Sequence, residues 1–261
     1  MWTADCNSGP PENVSKMSSY PLCSSLHILG VRVDDVTGDE TLALVERFIA
    51  ERTPHQICTV NPEFIMAAQH DEAFRTVINN AALCPPDGVG VLWAARRLGH
   101  PLRERVGGTD MAERIAARAA QTGWRMYFLG AAPGVAEEAA KVLQARHPGL
   151  VVVGTFAGSP VHADEDAIVE RIVAVQPDVL LVAFGAPSQD VWIARNQPRL
   201  QMPVAMGVGG AFDFIAGVTR RAPSWVQRLG FEWLHRLVRE PWRWRRQLAL
   251  PRFVWRVLRA R

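Results

Sequence analysis

The chain of 261 residues has no apolar run of the roughly 18 to 20 residues that a membrane-spanning helix requires. Its four cysteines are scattered, with no C-x-x-C pair and no histidines at zinc-finger spacing. The start of the chain lacks the basic and apolar regions of a signal peptide. The composition, 48% hydrophobic and 21% charged, is typical of an ordered globular protein. We therefore expect a reduced, cytosolic protein without structural zinc.

Complete nucleotide-binding fingerprints are also missing. The turn from Gly207 to Gly210 carries only part of the G-x-G-x-x-G pattern and lies late in the chain. The turn from Gly130 to Gly134 lacks the Lys and the Ser/Thr of a P-loop. Helix N-termini bind anions without such motifs, so a nucleotide-binding oxidoreductase is kept as an alternative function.

Apolar segments with the spacing of strands and of helices alternate from residue 27 onwards. Strand patterns occupy residues 27–33, 56–60, 124–129, 150–153, 178–184 and 204–206. Helical patterns separate them, and glycine turns recur where the strands end. The alternation predicts an α/β fold with a doubly wound, mostly parallel, Rossmann-like sheet whose C-terminal strand ends share one ligand crevice.

The two ends of the chain differ from residues 26–217, which form the predicted α/β catalytic core. Residues 1–25 are rich in Ser and Pro and show no periodic apolar pattern, and we expect a poorly ordered extension. Residues 218–261 contain twelve arginines, two glutamates and five of the nine tryptophans. This composition predicts a basic, Trp-rich helical appendage that either lies in an anionic membrane interface or packs on the core.

A non-enzymatic basic adaptor for membranes or nucleic acid is the second alternative function. The many large apolar residues of the C-terminal segment favour lipid or core over a phosphate backbone. We therefore expect no nucleic-acid partner.

The segment that begins at Cys84 carries the candidate catalytic group. Pro85 and Pro86 restrict the backbone before Asp87, and Gly88 permits a tight turn after it. Asp87 precedes a helical pattern, so its carboxylate either caps that helix or acts as a general base at the edge of the sheet.

Thr59 and Asn61 allow the same two interpretations. Asn61 stands before Pro62, which predicts a helix N-cap. A strand end that passes into a helix is also where α/β folds gather ligand groups.

Three arginines of the C-terminal segment stand out. If Glu240 and Pro241 form a bend, the guanidinium groups of Arg236, Arg243 and Arg246 approach one region. Such a cluster matches a diphosphate and can neutralise it as it leaves.

From about residue 28 to residue 253 the chain resembles the WecG/TagA/CpsF glycosyltransferases, bacterial enzymes that transfer a sugar from a UDP-sugar to an undecaprenyl-diphosphate-linked acceptor. The motifs that carry the resemblance are Thr59-x-Asn61-Pro62-Glu63, Pro86-Asp87-Gly88-x-Gly90, Arg105-x-x-Gly108-Thr109-Asp110, Gly185-Ala186-Pro187-x-Gln189, Gly207-x-Gly209-Gly210-x-Phe212-Asp213, Arg221-Ala222-Pro223 and Glu232-Trp233-x-x-Arg236-Leu237-x-x-Glu240-Pro241.

The resemblance implies a role for each matching residue. Asp87 stands at the position of the family's proposed general base. Substrate-binding roles are implied for Thr59, Asn61, Arg105, Gln189, Asp213, Arg236, Arg243 and Arg246. Of these, the three appendage arginines are expected to close over the diphosphate.

The resemblance further implies an inverting transfer without metal or cofactor, in the synthesis of cell-surface polysaccharide. It places the enzyme in the cytoplasm, peripheral on the inner face of the cytoplasmic membrane, and is compatible with a homo-oligomer. One departure leaves the donor sugar open: Pro187-Ser188-Gln189-Asp190 stands where the family usually reads Pro-Lys-Gln-Glu.

Overall fold

The computed structural model describes residues 24–223 and 248–260, together with residues 226, 233, 234, 237 and 244. Of the predicted extension, residues 1–25, residues 1–23 lie outside the described residues, whereas Ser24 and Ser25 are described and Ser25 begins a strand. Arg236, Arg243 and Arg246 also lie outside the described residues.

Five parallel strands form the central sheet. In order across the sheet they are β3 (His55–Cys58), β7 (Val204–Gly207), β6 (Val179–Ala183), β4 (Arg125–Gly130) and β5 (Val151–Phe156). The strands β3, β6 and β7 are buried along their whole length, as expected when helices cover both faces of a parallel sheet. The predicted α/β fold with a mostly parallel, Rossmann-like sheet is confirmed.

The first predicted strand is a hairpin instead. β1 (Ser25–Ile28) and β2 (Val31–Asp34) pair antiparallel and form a separate two-stranded sheet. The chain reverses at Leu29 and Gly30, whose φ angles are 52° and 81°. Two successive residues with positive φ make the tight turn that joins twisted strands. The prediction of one strand over residues 27–33 is therefore wrong.

Helices pack on both faces of the sheet. One face is covered by α1 (Gly38–Glu51), α5 (Gly108–Thr122), α6 (Val135–Arg146) and α9 (Ala211–Ile215), which share the largest described core cluster. The opposite face holds α7 (Glu165–Val175) and α8 (Ser188–Leu200). A third cluster unites the hairpin with α2 (Pro62–Ala67), α3 (Glu72–Asn80) and α4 (Val89–Arg97).

The last described helix, α10 (Ala249–Arg259), joins this third cluster. Phe253 and Val257 are fully buried, and a Cβ on Gly90 of α4 would lie 3.9 Å from the Phe253 ring. Trp255 and Leu258 remain about half exposed, at 53% and 50%. The helix α10 is therefore amphipathic, with one face in the core. No helix in the described ranges is long and apolar enough to cross a membrane.

Residues 83–87 run alongside β3 and bring Asp87 to its C-terminal end. The Val60 amide donates a hydrogen bond of 2.8 Å to the Pro85 carbonyl, and the Asp87 amide donates one of 2.7 Å to the Val60 carbonyl. Proline lacks an N–H group but still accepts through its carbonyl. The two prolines thus continue the pairing beside β3 without donating to it.

Candidate active site

A cavity of about 800 Å³ opens at the C-terminal ends of three parallel strands. Thr59 follows β3, Gly185 follows β6 and Gly207 ends β7, and all three line the cavity. The turns after β4 and β5 contribute none of the described lining residues. The predicted shared crevice therefore uses three of the five strand ends.

Asp87 lines this cavity and keeps 26% of its side chain exposed. The N-cap of α4 is Gly88, at a φ angle of 96°, and no side chain makes a capping hydrogen bond there. Asp87 therefore does not cap α4, although the sequence allowed that interpretation. Its carboxylate is instead directed to the space at the end of the sheet.

Arg105 lies between two carboxylates. Its Nη2 atom donates to Asp110 Oδ2 at 3.1 Å, and its Nη1 atom lies 3.8 Å from Asp87 Oδ1. A Cβ on Gly107 would lie within 3.3 Å of one polar atom from each of the three side chains, so the three surround Gly107. The backbone at Gly107, the N-cap of α5, thus lies at the centre of these three side chains.

Asp110 also binds a second arginine. Arg221 Nη1 and Nη2 donate to the two carboxylate oxygens of Asp110 at 2.5 and 3.0 Å, a two-pronged pair. Burial raises the pKa of Asp110, but the hydrogen bonds and charges of Arg221 and Arg105 outweigh it and hold that pKa below its ordinary value. Asp110 is therefore a stable anion between two cations.

Thr59 and Asn61 lie at the end of β3. Thr59 is buried, and a Cβ on Gly108 would lie 3.2 Å from its hydroxyl oxygen. Asn61 accepts a hydrogen bond of 2.9 Å from the Phe64 amide, which confirms the predicted helix cap. Both residues also line the cavity.

Gln189 forms part of the cavity wall from the first turn of α8. Its Oε1 atom accepts a hydrogen bond of 2.9 Å from the Gly209 amide. A Cβ on Gly207 would lie 2.5 Å from Gln189 Nε2 and 2.7 Å from Asp190 Oδ1, so a side chain at the end of β7 would displace these two residues.

Asp190 is fully buried behind this wall, beside the buried free thiol of Cys58. Burial raises the pKa of the Asp190 carboxyl to about 7, against an ordinary 3.8. Part of the population therefore carries a neutral carboxyl group near neutral pH.

Asp213 lies on α9 and is not one of the described lining residues, although its neighbour Phe214 is. The structure therefore brings together Thr59, Asn61, Asp87, Arg105 and Gln189 of the predicted site.

One side of the cavity is apolar. Val89 and Trp93 lie one turn apart on α4, at 42% and 37% exposure. Leu250 and Val254 of α10 line the same cavity. The cavity thus joins a charged region at the sheet to an apolar wall between two helices.

No group of three or more metal-ligating side chains occurs among the residues that the structure describes. Two aspartates, Asp164 and Asp166, flank Glu165 at the start of α7. Glu165 pairs with Arg195, and Asp166 pairs with Arg199 at 2.7 Å. None of these residues is among the described lining residues of the cavity.

Sequence reasoning missed several residues of the site. Asp110 and Arg221 are 111 positions apart, and no spacing rule connects them. Trp93 belongs to an ordinary helical pattern, and its place in the cavity wall depends on the packing of α4. Only the motifs that contain Asp110 and Arg221 could have indicated these two residues.

Comparison with known proteins identifies relatives along most of the chain. An enzyme of Bacillus spizizenii is 34% identical over 203 residues, 78% of each chain. One of Bacillus subtilis is 31% identical over 216 residues, 83% of this chain and 84% of the relative. One of Staphylococcus aureus is 31% identical over 242 residues, 91% of this chain and 94% of the relative. Each is named an N-acetylglucosaminyldiphosphoundecaprenol N-acetyl-beta-D-mannosaminyltransferase.

The match to the family itself covers residues 26–261, which include the sheet, the cavity and α10. The expected enzyme class, a glycosyltransferase, is thereby confirmed. The chain belongs to the glycosyl transferase WecG/TagA/CpsF family.

Proposed function

We propose that the protein transfers an N-acetylhexosamine from a UDP-sugar to a sugar linked through diphosphate to undecaprenol. The observation that carries this proposal is the two-sided cavity, charged at Asp87 and Arg105 and apolar at Trp93 and Val254. A lipid-linked diphosphate sugar has the same two-sided character. The relatives' names support N-acetylmannosamine as the donor sugar and N-acetylglucosamine as the acceptor sugar.

In the proposed reaction Asp87 acts as the general base. Its carboxylate takes the proton from the acceptor hydroxyl, and the oxygen attacks the anomeric carbon from the face opposite to UDP. A new carbon–oxygen bond forms as the bond to UDP breaks, and UDP leaves with the bonding electron pair. The anomeric configuration is thereby inverted.

Positive charge is needed where the diphosphate leaves. Arg105 supplies one guanidinium group in the described part of the cavity. Arg236, Arg243 and Arg246 are proposed to add more, on the basis of the family resemblance. Guanidinium groups stabilise developing negative charge without a metal ion, so the proposed reaction is metal-independent.

The proposed division of the chain is a catalytic core over residues 26–217 and an appendage over residues 218–261 that associates with the membrane. The exposed Trp255 and Leu258 of α10, next to Arg256 and Arg259, are suited to an anionic membrane surface. Such contact would put the cavity beside a lipid-linked acceptor at the inner face of the cytoplasmic membrane.

A UDP-release assay with a panel of UDP-sugars and a lipid-diphosphate-linked N-acetylglucosamine acceptor tests the proposal. We expect UDP release that requires both substrates and is fastest with UDP-N-acetylmannosamine. The anomeric configuration of the product, determined by NMR, should be opposite to that of the donor. Absence of acceptor-dependent UDP release with every sugar would refute the proposed function, and bound NAD in the purified protein would favour the oxidoreductase alternative.

A further inference from the structure

Asp110 binds two arginines from distant parts of the chain. Arg105 precedes α5, whereas Arg221 follows α9 and lies near the start of the C-terminal segment, residues 218–261. Both guanidinium groups reach the same carboxylate, at distances of 2.5 to 3.1 Å. Both arginines line the cavity and keep about a quarter of their side chains exposed, 27% for Arg105 and 25% for Arg221.

Two guanidinium groups fixed by one carboxylate differ from two arginines that move independently. A long side chain loses rotamer freedom when a ligand immobilises it, and this entropy loss weakens binding. Where a protein carboxylate has already ordered the side chain, binding of an anion no longer bears that cost. A guanidinium fork matches phosphate oxygens in pairs, so two adjacent forks match two adjacent phosphates.

We propose that Arg105 and Arg221 form a paired guanidinium site for a diphosphate, and that Asp110 is the positioning residue that holds the pair. The inference rests on the proposed function and adds Arg221 and Asp110 to the residues named there. The diphosphate belongs either to the sugar donor or to the lipid-linked acceptor, since both carry the same group.

The position of Arg221 gives the pair a second role. Arg221 is the fourth residue of the C-terminal segment, residues 218–261, and its neighbour Ala222 is buried. The bond from Arg221 to Asp110 therefore anchors the beginning of that segment at the turn that starts α5. A diphosphate bound by the two arginines would contact the catalytic core through Arg105 and the first residues of the appendage through Arg221.

Affinity measurements on the full chain test the pair, with inorganic pyrophosphate, UDP and UMP as probes in calorimetry. In Arg221→Lys the charge stays and the fork is lost, and we expect pyrophosphate affinity to fall on the order of tenfold. The matched control is Arg103→Lys, which removes a fork held by Asp35 and Glu40 away from the described lining of the cavity. The control should bind pyrophosphate as the wild type does.

Asp110→Asn separates positioning from simple electrostatics. Removal of the negative charge that contacts both arginines should by Coulomb's law raise the affinity for an anion. A positioning role predicts the opposite, a several-fold loss of pyrophosphate affinity. The double variant Asp110→Asn with Arg221→Lys should lose less than the product of the two single effects, because both act on one unit.

The probes identify the source of the diphosphate. Weaker UDP binding in Arg221→Lys with unchanged UMP binding assigns the donor's diphosphate. Unchanged UDP binding with a raised KM for the lipid acceptor assigns the acceptor's diphosphate.

Unchanged pyrophosphate affinity in Arg221→Lys, or raised affinity in Asp110→Asn, would overturn the inference. A lower melting temperature with wild-type pyrophosphate affinity would mean that the network is structural. Pyrophosphate binding does not depend on the identity of the sugar donor. Loss of the paired guanidinium site would therefore appear as unchanged pyrophosphate affinity in the variants while UDP release persists. Failure of the proposed function would appear as absent UDP release while the variants still lose pyrophosphate affinity.

Discussion

Arg105 Nη1 lies 3.8 Å from Asp87 Oδ1, too far for a hydrogen bond between these atoms and close enough for a favourable charge interaction. Arg105 directs its 3.1 Å hydrogen bond to Asp110 instead. Asp87 therefore lies beside a guanidinium group whose closer contact is with another carboxylate. In the proposed mechanism this carboxylate takes the proton from the substrate hydroxyl.

Replacement of Asp87 by Asn should remove the proposed general base and keep the shape of the side chain. Base catalysis typically contributes about 10² to 10⁴-fold, so we expect turnover to fall by that order while UDP affinity stays within about twofold. Steady-state UDP release and calorimetric UDP binding measure the two effects. Asp166→Asn, away from the described lining of the cavity, should keep wild-type turnover. Full turnover in Asp87→Asn would remove Asp87 from the mechanism.

Gly207→Ala should disturb Gln189. The new Cβ would lie 2.5 Å from Gln189 Nε2, so the side chain must move and its bond to Gly209 must break. We expect a loss of about 1 to 3 kcal/mol in unfolding free energy, together with weaker UDP binding. Denaturant titration and calorimetry measure these changes.

The control for Gly207→Ala is Gly99→Ala. Gly99 has a φ angle of 85°, and a Cβ added there would meet no heavy atom within 4 Å, so only backbone strain is introduced. This variant should lose stability and bind UDP normally. Normal UDP binding by Gly207→Ala would show that Gln189 is not required for the nucleotide.

Asp190 should make stability depend on pH in an unusual direction. Its folded-state pKa of about 7 exceeds the ordinary 3.8, so the folded protein holds a proton that the unfolded chain releases between these values. The stabilisation that this bound proton gives to the folded state is fully present below pH 3.8 and is lost as the pH rises through about 7. The total loss in unfolding free energy is on the order of 4 kcal/mol for a shift of this size.

Asp190→Asn replaces the carboxyl with a neutral group of the same shape. We expect the melting temperature of this variant, relative to the wild type, to be higher at pH 8 than at pH 5. Thermal unfolding at the two pH values measures the difference. The exposed Asp166→Asn should show no such change, and an equal shift at both pH values in Asp190→Asn would contradict the assignment to Asp190.

The exposed face of α10 should mediate binding to lipid vesicles. Replacement of Trp255 and Leu258 together by Gln removes apolar surface while leaving the buried Phe253 and Val257 in place. We expect binding to anionic vesicles to fall by about tenfold or more. Vesicle flotation measures it, with Val161→Gln as an exposed control outside the C-terminal segment. Undiminished vesicle binding would place the membrane contact elsewhere.

Local patterns predict most of the sheet and its helices. Apolar spacing indicates whether a segment is a strand or a helix, and glycine turns mark where it ends. The strand patterns over residues 124–129 and 178–184 each lie within one or two residues of the observed strands β4 and β6. The turn at Leu29 and Gly30 is not predicted, because leucine rarely adopts a positive φ angle and a single glycine also occurs inside strands.

The site is predictable only in part. Asn61 is expected as a helix cap from its place before Pro62, and the motifs indicate that Thr59 and Asp87 lie near strand ends. The bond between Asp110 and Arg221 depends on how α5 and α9 pack, which no local pattern encodes. The apolar wall likewise depends on the contact of α10 with α4.

The helix α10 completes a cavity whose first polar residues are encoded near Thr59. A ribosome produces the chain from its N-terminus, so the charged half of the cavity emerges well before the helix that walls it. Until α10 has been synthesised, the side of α4 that packs on it in the folded protein lacks that partner. A chain that ended before α10 would lack Leu250 and Val254 of the cavity wall together with the buried Phe253 and Val257.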